Sequence, residues 1–127
     1  MSQPSAPAPT PPVTGMGGLL DEVHNLDRLI VHLGALLATT TLAADVERMQ
    51  VRARDLSPLL AEYLEAADDD RRRLRHDTLN VLGAVAGYAE LIGDDVREGM
   101  AHDLTERIQG GAHALSAMLA ADREAAG

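Results

Sequence analysis

His76 is the side chain in this sequence best suited to chemistry, because of the residues around it. Asp77 follows it, Asn80 comes one turn later, and Gly83 and Gly87 occupy the next two turns. A neutral imidazole is nucleophilic at one ring nitrogen, and a nearby carboxylate can take or orient the proton on the other. Asp77 sits about 100° round a helix from His76, so its reach to the ring depends on rotamer. Steps of four and three place His76, Asn80, Gly83, Gly87 and Glu90 on one stripe. A glycine inside a helix costs about 1 kcal/mol relative to alanine, so two on one face call for a reason. One is access for a partner's backbone to the imidazole. The other is close packing against a neighbouring helix, and the spacing allows both.

The helix that must carry this stripe has a second, apolar one. Leu74, Thr78, Val81, Val85, Tyr88 and Ile92 form a seam that Leu82, Ala86 and Ala89 widen. The charged neighbours Arg75 and Asp77 favour exposure around His76. Upstream, Asp68–Asp70 precede Arg71–Arg73 at spacings that allow i,i+3 and i,i+4 pairs. Arg72 and Arg73 read equally well as a partner-docking patch and as a solvated charged face.

The segment "RHDTLNVLGAVAGYAELI" resembles the H-box of the dimerisation and histidine-phosphotransfer (HisKA-type) domain of sensor histidine kinases. The resemblance is carried by His76, Asp77, Asn80, Leu82, Gly87, Tyr88, Glu90 and Leu91. "DLTERIQGGAHALSAML", Asp103 to Leu119, is similar to that family's second helix, so the likeness runs from about Asp68 to Asp122. It implies that His76 is phosphorylated, that Asp77 is its acid/base neighbour, and that Asn80 positions the phosphate or a water. It further implies a hairpin that pairs with a second copy, giving a homodimeric four-helix bundle. A response-regulator receiver domain would dock beside His76 over Gly83 and Gly87. Val81 stands where the family usually has proline, and Leu79 and Gly83 replace commoner polar residues. The sequence shows no Asn-rich or Gly-rich ATP-binding box. The expectation is therefore no autonomous kinase activity, with phosphate supplied by a separate histidine kinase or ATP-binding domain, or by a phospho-receiver. The alternatives are a non-catalytic dimerisation or scaffold module, and a monomeric four-helix phosphotransfer protein in which helices 19–39 and 42–55 replace the second subunit.

The rest of the chain must hold that hairpin. Residues 1–18 contain five of the six prolines and read as a disordered Pro/Ala-rich leader. An N-terminal helical region, 19–66, begins with Leu19, Val23, Leu26, Ile30, Leu33 and Leu37 at steps of four and three. The threonines after Ala38 suit a helix end, with a new helix from about Thr41. Near "DLSPLL" the pattern predicts either a kink or, preferably, a break with Ser57 as N-cap and Pro58 as the first helical residue. From Pro58 it continues without a breaker to about Ile92. Gly93 then reads as a helix end, an aspartate as the next cap, and Ala121 as about the end of the last helix. The histidine-phosphotransfer-like hairpin is 67–127.

Composition agrees with an all-α fold. Aromatics are 2% of the 127 residues, which leaves a core of aliphatic side chains and Met. The net charge of −9 argues against nucleic acid. There is no cysteine for disulfides, thiolate chemistry or Cys-type zinc sites. No uncharged run suits a bilayer span, and no basic signal-peptide region opens the sequence; the expected location is cytoplasmic, with no membrane partner. His24 and His32, and His102 and His113, lack converging ligand spacing, so neither metal nor cofactor is expected.

Overall fold

A computed structural model of the chain describes residues 16–126. The expected leader falls almost entirely outside them. Helix α1 spans Met16–Leu37, α2 Ala43–Ala53, α3 Leu56–Glu65, α4 Asp68–Asp95 and α5 Gly99–Ala126. Among the described residues there is no strand, and the helices pack as a four-helix bundle in which α2 and α3 form one column. The columns follow one another round the bundle, with α1 also against α5. The N-terminal helices thus share one core with the hairpin.

Aliphatic periodicity builds that core. Leu26, Leu33, Met49, Leu56, Leu60, Leu82, Ile108, Leu115 and Leu119 are all fully buried, and each such side chain stabilises the fold by roughly 1.5–3 kcal/mol relative to exposure. Two of the polar groups drawn into it, Thr78 and Thr105, donate to the carbonyls of Leu74 and His102, both at 2.7 Å. Back-bonding of this kind leaves no orphan hydroxyl.

Four local features differ from the sequence reading. The first is at Pro58, where the expected break is present but the new helix starts two residues earlier, at Leu56. Only Arg54 and Asp55 separate α2 from α3, and both keep right-handed helical backbone. Pro58 has no N–H to offer the carbonyl four residues back, at Arg54, and its ring crowds that oxygen. Asp55, not Ser57, is the N-cap, without a side-chain bond.

The second is a break at Ala66–Ala67, where a continuous helix was expected. Both residues are extended, with ψ of 153° and 168°. The three aspartates that follow occupy the first turn of α4. Carboxylates complement the positive end of a helix dipole there, whereas mid-helix they would repel each other. The third is Gly93, which does not end α4. It lies against α5, where an added Cβ would meet Thr105 Oγ1 at 3.1 Å. The turn instead uses Gly99, the start of α5, at φ +85°, a conformation that favours glycine. His102 closes this turn by donating from Nδ1 to the Val96 carbonyl at 2.9 Å. The fourth is the extent of α5, which runs five residues beyond Ala121, to Ala126.

The threonine turn matches its reading in outline. Thr40 Oγ1 donates to the Leu37 carbonyl at 2.7 Å and accepts the Leu42 N–H at 3.1 Å. It closes the end of α1, while Leu42 is the N-cap of α2.

One polar cluster joins the ends of three helices. Tyr63, on α3, is fully buried and its hydroxyl donates to Asp122 of α5. Arg71 Nε donates to the Tyr63 carbonyl at 3.2 Å, and its guanidinium lies 4.9 Å from the ring centroid. It also stands 3.8 Å from Asp122. Burial pushes the Tyr63 phenol up from its ordinary value, and the bond to Asp122 adds to this while Arg75 opposes it. The neutral phenol is thus favoured by folding, a contribution complete below the unfolded value near 10 and lost as pH rises through the folded one. Tyr63→Phe should lower stability at neutral pH by about 1 kcal/mol. The gap between variant and wild type should narrow above about pH 10, as followed by urea denaturation.

Asp27 shows the same sign at the other end of the pH scale. It is half-buried on α1, and burial raises its carboxyl while His24 lowers it. Its charged form therefore opposes folding above its folded value, and that cost disappears in acid. Asp27→Asn should raise the melting temperature at neutral pH and lose that advantage as pH falls below the carboxylate range.

Candidate functional site

Residues of α4 divide as the two stripes require. Leu74, Thr78, Val81, Leu82, Val85, Ala89 and Ile92 are buried, and Tyr88 and Ala86 lie at the edge. His76, Asn80, Gly83, Gly87 and Glu90 are all exposed. The orientation follows from packing: α4 is held between the α2–α3 column and α5, so its remaining face has nowhere to point but solvent.

Within that face the structure brings His76 and Asn80 together. Asn80 Nδ2 lies 3.3 Å from His76 Nε2. With the amide nitrogen donating, Nε2 accepts and the ring proton sits on Nδ1. The nitrogen with the free lone pair is then the one turned along the exposed stripe. A bond of 3.3 Å is long, so an incoming acceptor can displace it at little cost.

Asp77 is placed elsewhere. Its carboxylate pairs with Arg73 at 3.8 Å, and Arg73 also approaches Asp70 at 3.8 Å. It makes no hydrogen bond to the imidazole. Arg72 and Arg73 are exposed, about one turn before His76 on the helix surface.

Arg75 contradicts the expectation of exposure. Only 9% of it is accessible, and it packs with its guanidinium 5.8 Å from the Tyr63 ring centroid. Its Nε has no hydrogen-bond partner. The face of an aromatic ring offers a cation a favourable electrostatic surface, which explains how an arginine is tolerated at a position facing inward.

Gly83 and Gly87 resolve the choice between close packing and access. An added Cβ at either would meet no atom within 4 Å. No helix among the described residues packs on them. They leave a thin strip of bare backbone between Asn80 and Leu91, which is 51% exposed.

Beside this stripe lies a groove of about 460 Å³ that the local sequence did not reveal. Its walls are Asp77, Asn80 and Val81 of α4, together with Arg52, Asp55, Pro58, Leu59 and Glu62 from the α2–α3 column. Those contributions are separated by fifteen or more positions in sequence, so only tertiary packing assembles them. Among the described residues no group of three or more His, Asp or Glu side chains is arranged to hold a metal ion, and no helix is long and apolar enough to cross a membrane.

Comparison with protein-family models, curated proteins and solved structures gives no match. The chemistry of the site is therefore read from its own residues. Because Gly83 and Gly87 are exposed, helical and unopposed, Gly83→Ala and Gly87→Ala should each stabilise the fold, by about 1 kcal/mol. Thermal unfolding of the two variants and their combination checks this, and a loss of stability would show that something does approach these glycines.

Proposed function

We propose that this protein is a histidine phosphotransfer module, phosphorylated on His76 and exchanging the group with a response-regulator receiver domain. The observation that carries the reading is the exposed imidazole of His76, bonded at Nε2 by Asn80 above a strip of unopposed glycine backbone. The HisKA-type resemblance supplies the chemistry that such an arrangement serves.

In the transfer step the Nε2 lone pair attacks phosphorus of an aspartyl phosphate on the receiver. A P–N bond forms as the P–O bond breaks, and the receiver's carboxylate leaves with the electron pair. The ring keeps its proton on Nδ1. Asn80, released from Nε2, turns its amide N–H to a phosphoryl oxygen. Asp77 reaches the ring only by leaving Arg73, an exposed pair worth at most about 1 kcal/mol. Arg72, Arg73, Gly83 and Gly87 form the docking margin.

Wild-type protein incubated with phosphoramidate, with a phosphorylated receiver or with an active histidine kinase should acquire acid-labile label, and His76→Ala should acquire none. Asn80→Ala should label at least about tenfold more slowly, equivalent to about 1.4 kcal/mol in the transition state. Label surviving in His76→Ala would sink the assignment.

A second reading, a non-catalytic scaffold, is favoured by two specific features. Asp77 is paired with Arg73 instead of the ring, and Val81 is buried in an unbroken α4. Gly87→Leu separates the readings. Loss of receiver binding with an unchanged fold supports the first, and unchanged binding supports the second. The homodimer implied by the resemblance would have to form through faces left exposed after the core closes. A solution mass of 13.5 kDa, that of one chain, would remove it from the proposal.

A further inference from the structure

The seam between the α2–α3 column and α4 carries more than the groove beside His76. A second groove, of about 330 Å³, continues along it and is lined by Ala44, Glu47, Arg48, Val51, Arg52 and Tyr88. Arg52 belongs to both, so the two grooves meet at that residue. The half nearest His76 is acidic: its lining sets Asp55, Glu62 and Asp77 against Arg52, with Asp77 also paired with Arg73 at 3.8 Å. Neither Asp55 nor Glu62 has an ion-pair partner among the described residues. The far half carries the exposed apolar groups among the charged Glu47, Arg48 and Arg52: Val51 is 49% exposed and Tyr88 half-buried, and Leu91, 51% exposed, lies one turn further along α4.

We propose that this seam is the docking groove for an amphipathic helix of the partner, with basic side chains seated among Asp55, Glu62 and Asp77 and apolar side chains against Val51 and Tyr88. That the partner is a receiver domain rests on the reading above, whereas the groove's preference for such a helix does not. Three observations select this occupant. The acidic half lacks enough cation of its own, so a basic side chain entering it is attracted and an acidic one repelled. The far half leaves a valine and a tyrosine edge in water that a partner's aliphatic group would cover, with Glu47 and Arg48 at its rim. The distance between the halves suits a helix: Asp77 and Tyr88 are eleven residues apart, about 16 Å or three turns. A second copy of this chain is a poor occupant, since at net charge −9 it brings more carboxylates than cations.

The arrangement also explains how a bound partner would be brought to the imidazole. Asn80 lines the acidic groove and touches His76 Nε2. A helix seated there lies within one turn of the reactive nitrogen, on the side of α4 away from α5.

The test uses the isotope-labelled full chain and two synthetic helical peptides. One carries arginines and, about three turns away, leucines; its twin has glutamate in place of arginine. The basic peptide should shift the amide signals of Arg52, Asp55, Glu62, Asp77 and Tyr88, and bind at least about tenfold more tightly than the acidic twin. The double variant Asp55→Lys, Glu62→Lys, checked for an unchanged circular dichroism spectrum, should lose that preference. Equal response to both peptides, no response, or shifts confined to the α4–α5 seam would overturn the proposal. Shifts of the same groove signals on concentrating the protein alone would assign the groove to a second copy, and would also overturn it. The outcome is independent of phosphorylation. Peptide binding without label on His76 leaves the groove standing and removes phosphotransfer; label without peptide binding does the reverse.

Discussion

Burial of one side of α4 is the constraint on which the remaining features depend. Leu74, Val81, Leu82, Val85, Ala89 and Ile92 are packed from two directions, by the α2–α3 column and by α5. A helix held on two sides cannot rotate without exposing several leucine-sized groups, each worth roughly 1.5–3 kcal/mol. The exposed direction is thereby set, and with it the bearing of His76, Asn80, Gly83 and Gly87. The bearing of the exposed stripe is set by the rigidity of the buried one.

The Tyr63 cluster fixes the same helix along its axis. Tyr63 and Arg71 tie the extended break at Ala66–Ala67 to the start of α4, and Asp122 ties both to α5. Arg75 adds its stem and guanidinium to the Tyr63 ring. The first turns of a helix are where fraying begins, because their N–H groups lack intrahelical partners. His76 lies only two turns into α4, within reach of such fraying. The carboxylates of Asp68–Asp70 and the cation–π contacts at Tyr63 oppose it.

How much of this was legible in the sequence depended on the range of the interaction responsible. The two faces of α4 and the leucine register of α1 were legible, because helical periodicity and burial are both local consequences of spacing. The turn at Thr40 was legible because hydroxyl capping involves near neighbours. The break at Ala66–Ala67 was not, since neither alanine is a breaker and the interactions that hold it come from Arg71 and, through Tyr63, Asp122. The break near Pro58 was legible because a missing N–H is a local property, whereas its cap, Asp55 in place of Ser57, was not. Arg75 misled because an arginine is usually solvated, and only the placement of Tyr63 gives it a surface to lie on. Of the site, the His76–Asn80 pair was visible at i,i+4. The pairing of Asp77 with Arg73 was one of several rotameric outcomes. The acidic groove was invisible because half of its wall comes from another column.

The closure of the bundle within one chain has a consequence for how the protein comes into being. When a hairpin must borrow its core from another copy, folding and assembly are the same event, and the folded fraction falls with dilution. Here α1 and the α2–α3 column are covalently attached to the hairpin they cover, and successive columns are joined by short connections. Core formation is unimolecular, and contacts between chain neighbours dominate it, a topology associated with rapid folding. A cell could hold this protein at a few copies and still find each one folded, with its imidazole facing outward.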